Sequence, residues 1–151
     1  MKVLVFSVAG TRIGMSIEDV VESVRAVEVT PLPGAPPVVE GIIDYRGSIA
    51  AVFDMGRRFV GRTLPVAPDH QFVIARSGSA RTVALHVDRV EDLTDVDAAN
   101  VRPVDAGGST AQFVAGVTAL ADGLLIIHDL KTFLTDAERA SLESALTAAA
   151  T

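Results

Sequence analysis

The chain repeats one of its own segments. Residues 41–54, GIIDYRGSIAAVFD, align without a gap with residues 116–129, GVTALADGLLIIHD. Both segments open on glycine, contain glycine near a predicted hairpin turn, continue through an apolar run and end on aspartate. Residues 14–20 resemble residues 84–90 in the same way. Because a repeated unit buries its apolar face only against its neighbours, the repetition predicts two similar small antiparallel barrels in one chain.

Alternating apolar residues predict further strands around the repeat. Ile13, Met15 and Ile17 alternate with polar or small residues, and residues 82–87 show the same period. Residues 31–37 hold four prolines, which cannot join the interior of a sheet and therefore predict a stiff connecting loop.

A helix is predicted at the end of the chain, where Thr135 and Glu138 form a capping box. Ile17, Val87 and Ile127 are predicted to lie in the core. The predicted organisation is a single domain of residues 1–151, with lobes at roughly residues 1–65 and 66–134 that can exchange strands, and a helix at residues 135–150.

Composition argues against several classes of function. The 151 residues are 49% hydrophobic and 21% charged, with a net charge of −6, as in folded globular domains. The acidic balance, the lack of tryptophan and the single tyrosine argue against a general nucleic-acid binder, which needs basic and stacking groups. Apolar runs fall far short of the ~20 residues that span a bilayer. Without cysteine there are no disulfides, thiolate metal sites or cysteine nucleophiles.

The first residues imitate a short signal peptide, since Lys2 precedes the apolar segment 3–8. That segment is at the lower limit for such a signal and also fits a strand with two buried faces. We therefore expect a cytoplasmic protein.

Groups that carry catalysis are sparse. None of the histidines, His70, His86 and His128, has HxH or HExxH spacing, so no metal site is predicted. His86 and His128 each lie near an aspartate, which leaves open a small hydrolase or ligand-binding barrel that gathers them in a pocket. The simpler expectation places His86 on the solvent side of a strand and His128 at a strand end. We expect no enzyme, no catalytic residue and no cofactor.

Two groups of charged residues could bind partners. Arg57, Arg58 and Arg62 form a basic cluster, which suits a solvated loop better than a phosphate or acidic-partner site. Residues 44–47, Asp-Tyr-Arg-Gly, form a predicted hairpin tip. Turn chemistry explains the aspartate and the glycine, whereas tyrosine and arginine are enriched at protein-binding hot spots.

Several stretches, taken in order, resemble the CheW-like adaptor domain of bacterial chemosensory systems. The tip DYRG stands where that family usually has NLRG. The stretches are LVFSV, IEDVVESV, TPLPGAPPVVEG, DYRG, ALHVDRVEDL and DLKTFL, at residues 4–8, 17–24, 30–41, 44–47, 84–93 and 129–134. The resemblance covers essentially the whole chain at family spacing.

The resemblance implies a mainly β fold of two packed five-stranded SH3-like barrels, with short helices and a C-terminal helix. It implies an adaptor without catalysis or cofactor that links the cytoplasmic tip of a chemoreceptor to the regulatory domain of a CheA-type histidine kinase. Such an adaptor is recruited to receptor arrays at the inner face of the membrane without inserting into it. A pathway that controls motility and one that controls another output both remain open.

The resemblance also implies site residues. The receptor-binding groove between the lobes would include Val20, Glu22, Arg46, Val90 and Leu93, and the kinase-binding positions would be Ile49 and Ala51. Valine and leucine would accept a helical hairpin, while the charged pair would set its register. Asp44 joins the receptor site as a departure from the family's asparagine, and we expect it to compete with a receptor acid for Arg46.

Overall fold

The computed structural model describes residues 1–65, 67–76, 80–103 and 114–149. The strands are β1 (Lys2–Val8), β2 (Thr11–Ser16), β3 (Val20–Arg25), β4 (Val39–Tyr45), β5 (Ser48–Asp54), β6 (Gln71–Ala75), β7 (Val83–Val87), β8 (Arg89–Asp95), β9 (Val114–Leu120) and β10 (Gly123–His128). The α-helices are α1 (Met55–Phe59) and α2 (Asp136–Ala149). Short 3₁₀ turns lie at Ile17–Asp19, Ala98–Asn100 and Leu130–Thr132.

The strands form two five-stranded sheets. The first sheet has the order β8-β1-β2-β10-β9 and the second has the order β3-β6-β7-β5-β4. Each sheet therefore combines a hairpin from one half of the chain with three strands from the other half. The predicted boundary at residue 65 separates the two sequence repeats but not the two sheets, because β2 pairs with β10 and β7 pairs with β5 in parallel.

The sequence repeat corresponds to two equivalent hairpins. β4 and β5 pair antiparallel, as do β9 and β10, and a glycine with positive φ lies at or beside each turn. Ala51 of β5 lies opposite Val83 of β7, just as Ile126 of β10 lies opposite Ile13 of β2. The predicted equivalence of the two segments is confirmed.

A crossing segment joins the two edges of each sheet. Two backbone pairs make this closure: Thr30 with Ile42 at 2.8 and 3.0 Å, and Arg102 with Val117 at 2.8 and 2.9 Å. A Cβ atom at Gly41 would lie 2.2 Å from the Thr30 oxygen, and one at Gly116 would lie 2.8 Å from the Arg102 oxygen. The glycine that opens each repeat is therefore required by the close approach of the crossing segment.

The main hydrophobic cluster draws on both sheets and on both helices. Val87 is fully buried and Ile127 is 5% exposed, so both belong to the core as predicted. Ile17 is only partly buried, because it begins a 3₁₀ turn instead of extending β2.

The C-terminal helix begins at the predicted capping box. The backbone N–H of Glu138 donates to Thr135 Oγ1 at 3.1 Å, and the backbone N–H of Thr135 donates to Glu138 Oε1 at 2.9 Å. Leu142 and Ala145 pack into the main cluster, which fixes α2 against the barrels. Among the residues that the structure describes, no helix is long and apolar enough to cross a membrane.

Replacing Gly116 with alanine tests the closure. The added Cβ would lie 2.5 Å from Val101 Cγ1 as well as close to the Arg102 carbonyl, so the crossing segment must move. We expect the free energy of unfolding to fall by about 1–3 kcal/mol in chemical denaturation. Ala119→Gly, an exposed change on the same strand, should cost about 1 kcal/mol or less. A Gly116→Ala protein as stable as the wild type would contradict the steric argument.

Candidate functional site

Three side chains meet at the hairpin between β4 and β5, and we call them the tip cluster: Glu22, Tyr45 and Arg46. Arg46 Nη2 donates to Glu22 Oε2 at 2.6 Å, and the Tyr45 hydroxyl donates to the same oxygen. The Arg46 guanidinium also lies over the Tyr45 ring, 5.4 Å from its centroid. The Arg46 side chain is nevertheless 73% exposed, so the cluster presents a positioned cation to solvent.

Asp44 does not belong to the tip cluster. Its Oδ1 accepts a hydrogen bond from the Gly47 backbone N–H at 2.8 Å, the usual role of aspartate in a turn. Arg46 pairs with Glu22 instead. Asp44 therefore does not pair with Arg46 in the free protein, because the turn aims the carboxylate at the backbone, and its expected effect on receptor binding stays a prediction.

The predicted apolar groove residues lie on the edge strands of the two sheets. Val20 begins β3 and Val90 belongs to β8, and both are partly buried against the main cluster. The Val90 N–H donates to Gln71 Oε1 at 2.7 Å, which ties β8 of the first sheet to β6 of the second. Val90 thus lies where the sheets meet, while Leu93 of β8 is 50% exposed.

The two predicted kinase-binding residues differ in accessibility. Ile49 is 58% exposed, whereas Ala51 is 4% exposed, so only Ile49 offers a partner substantial apolar surface. Both line a cavity of about 520 Å³ between β5, β7 and α2. Its charged lining residues are Arg81, Lys131, Arg139 and Glu143.

The basic cluster after β5 is partly structural. Arg58 Nη2 lies 2.6 Å from both carboxylate oxygens of Glu138, so it joins α1 to the start of α2. The Arg57 backbone N–H donates to Asp54 Oδ1 at 3.0 Å and caps α1. The solvated loop expected here is wrong for Arg58, whose side chain is only 13% exposed.

The predicted solvent-facing position of His86 is also wrong. The residue is fully buried because β7 lies inside its sheet, between β6 and β5, and is covered on both faces. Its Nδ1 lies 2.6 Å from Glu40 Oε1, and its Nε2 lies 2.8 Å from His70 Nδ1. No local sequence pattern indicates these contacts.

His128 ends β10, as predicted, but in the other sheet from His86. Its ring packs edge-on against Phe59 and Phe133, with centroids 5.5 Å apart in both pairs. It is 3% exposed, so the structure does not gather the histidines in an open pocket. Within the described ranges, no three or more potential ligand side chains are placed to hold a metal ion.

Titration of Tyr45 tests the tip cluster. The hydrogen bond to Glu22 raises the pKa of Tyr45 above the ordinary value of 10.0, with burial adding to the effect and Arg46 opposing it. Because the chain has one tyrosine and no tryptophan, ultraviolet absorbance follows this phenol alone. We expect Glu22→Ala to lower the titration midpoint and Asp44→Ala to leave it nearly unchanged. Equal midpoints for wild type and Glu22→Ala would contradict the hydrogen bond.

The amino-acid sequence is similar to those of known proteins. The chemotaxis protein CheW of Klebsiella aerogenes is 25% identical over 143 residues, covering 93% of this chain and 86% of that protein. Protein FrzA of Myxococcus xanthus is 29% identical over 106 residues, covering 70% of this chain and 66% of that protein.

A solved structure and a family model extend the likeness across the chain. The crystal structure of the scaffolding protein TtCheW from Thermoanaerobacter tengcongensis matches with a TM-score of 0.79 and 30% identity, covering 91% of this chain and 89% of that one. The predicted mainly β fold with two five-stranded units is confirmed. The family model described as the CheW-like domain matches residues 2–138, and the chain therefore belongs to the CheW-like family.

Proposed function

We propose that this protein is a cytoplasmic, non-catalytic adaptor that couples the signalling tip of a chemoreceptor to the regulatory domain of a CheA-type histidine kinase. The observation that carries the proposal is the tip cluster, an exposed arginine positioned by Glu22 beside the edge strands where the two sheets meet. The adaptor works at receptor arrays on the inner face of the membrane and needs no cofactor.

The receptor tip docks as a helical hairpin whose apolar face covers Val20, Val90 and Leu93. Leu93 is half exposed, so covering it removes apolar surface from water. Arg46 gives Nη2 to Glu22, and its other N–H groups can bind a receptor carboxylate at the same time. The charged pair then sets the register of the receptor helix.

The kinase domain docks beside the exposed Ile49 at the start of β5. Ala51 supports this surface from beneath, since it is buried and lines the same cavity. Large exposed aliphatic residues are compatible with a soluble surface, but covering one stabilises an interface by the area removed from water.

Reversal of the Arg46 charge tests receptor binding. We expect Arg46→Glu to weaken binding of a receptor-tip fragment by on the order of tenfold, about 1.4 kcal/mol, because it places two acids where the receptor acid docks. Surface-immobilised binding or calorimetry at low salt measures the loss. Arg62→Glu makes the same charge change in an exposed loop after α1 and should bind normally. Equal weakening by both variants would contradict a specific role for Arg46.

Ile49→Asp tests the kinase surface. Its matched control is Leu124→Asp, since Leu124 holds the equivalent position in the second repeat and is 69% exposed. We expect Ile49→Asp to weaken binding of the kinase regulatory domain by roughly tenfold, because a charge replaces an apolar contact. The control should bind like wild type. Loss in the control alone would place the kinase on the other barrel.

A further inference from the structure

Four titratable side chains form a continuous chain around β7, and we call it the histidine chain: Glu40, His86, His70 and Asp88. His86 Nδ1 lies 2.6 Å from Glu40 Oε1, and His86 Nε2 lies 2.8 Å from His70 Nδ1. On the far side, His70 Nε2 lies 3.9 Å from Asp88 Oδ1. The His86 side chain is fully buried, while those of Glu40, His70 and Asp88 are 13%, 11% and 28% exposed, so solvent reaches the chain at its ends but not at His86.

Local structure explains how the groups meet. Glu40 lies at a register shift of β4, between Val39 and Gly41, and such an irregularity redirects a side chain. His86 is held in the middle of its sheet, with its ring edge-on to Phe72 at 5.7 Å. The Asp88 N–H donates to Ser7 O of β1 at 2.8 Å. The histidine chain therefore runs from an edge strand of the second sheet to a contact with the first.

The other charged groups near the two rings either bind elsewhere or face solvent. Asp54 lies opposite His86 in the register of β5 and β7, but its carboxylate caps α1. From β3, the exposed Arg25 lies opposite Gln71. Asp69 precedes His70 in the connecting loop. Glu40 and Asp88 are thus the carboxylates that face the two rings directly.

Hydrogen-bond chemistry limits the number of protons that the two rings can carry while they remain in contact. An ionised carboxylate only accepts, so the His86 nitrogen that faces Glu40 carries a proton. The 2.8 Å contact between the rings holds one proton. His70 Nε2, 3.9 Å from Asp88 Oδ1, can carry a third proton as an ion-pair partner without disturbing either short contact. A fourth proton would place two N–H donors face to face, and the contact between the rings would be lost.

We propose that the histidine chain is a pH-sensitive latch between the two sheets, closed while the paired rings carry no more than three protons and opened by the fourth. Opening moves His70, the more exposed ring, toward solvent. The hydrogen bond from the Asp88 N–H to Ser7 O of the first sheet then loses the support of the His70–Asp88 contact. The proposal goes beyond the proposed function, and its test uses the protein without receptor or kinase.

The direction of the pH dependence follows from proton counting. In the unfolded chain both histidines take up protons independently below a pH of about 6.5, giving four protons on their ring nitrogens. The closed latch holds at most three. Because the unfolded state binds more protons in this range, the stability that the latch contributes falls as the pH falls.

Nitrogen NMR of the full-length protein tests the latch. We expect a scalar coupling between His86 Nε2 and His70 Nδ1 across their shared proton at a pH of about 7.5, and its loss at about 5. The Asp88 amide should exchange with solvent roughly tenfold faster at the lower pH after correction for intrinsic rates. The ring nitrogens of His128, which lies in the other sheet, are the internal reference for the histidine signals. Absence of the coupling at both pH values would overturn the proposal.

His70→Gln separates the latch from general acid destabilisation. Glutamine can donate a hydrogen bond to His86 Nε2 but cannot take up another proton. We expect the acid-induced rise in Asp88 exchange to disappear in this variant and to persist in Arg62→Glu. An equal rise in His70→Gln and wild type would overturn the proposal, as would wild-type exchange that does not change with pH.

Discussion

Parallel pairing of β2 with β10 and of β7 with β5 is the contact on which the rest of the structure depends. Each pair inserts a hairpin from one half of the chain into a sheet built by the other half. Without it, every sheet would lose two strands and expose unpaired backbone groups along a new edge. The two lobes therefore share both strands and a hydrophobic cluster, although the sequence repeats the pattern of a whole lobe.

The same exchange positions the edge strands of the proposed receptor surface. It leaves β3 as an edge of one sheet and β8 as an edge of the other, and both edge strands place a valine against the main cluster. Val20 and Val90 occupy equivalent positions on these strands. The hairpin tips then differ: the first has Asp-Tyr-Arg-Gly, while the second has Ala-Leu-Ala-Asp at residues 119–122. The duplication places equivalent valines in both repeats, whereas the charged tip residues occur in the first repeat and not at the same positions of the second.

Local patterns predicted the elements well. Glycines, the capping box and the period of two located the hairpins, α2 and the core positions of Val87 and Ile127, because those features depend on neighbouring residues. The sheets' exchange of hairpins depends on pairing between residues far apart in the chain, as between Ile13 and Ile126 or between Ala51 and Val83, and no local pattern reports it. His86 was misplaced for that reason, since alternation cannot tell an edge strand from a central one.

Polar contacts were predicted less well than apolar ones. Arg46 and Glu22 are predicted as site residues from family resemblance, but their contact with each other is not predicted: Arg46 donates to Glu22, on another strand. Arg58 likewise binds Glu138, 80 residues away. An ionised side chain must find a partner when it is half-buried, but charge alone does not say which one. The partner depends on strand order, which the fold decides.

The turn that carries Arg46 explains why this side chain can act as a specific contact. Arg46 and Gly47 have φ angles of +51° and +83°, and positive φ at both central residues is the condition for a type I′ hairpin turn. A non-glycine residue in this region is uncommon, so the backbone fixes where the arginine leaves the strand. Glu22 and the Tyr45 ring then hold the guanidinium from two sides. A long side chain that is ordered before binding loses less conformational entropy when a partner arrives. The ordered guanidinium therefore suits the proposed receptor contact, in which a carboxylate meets Arg46 in this one position.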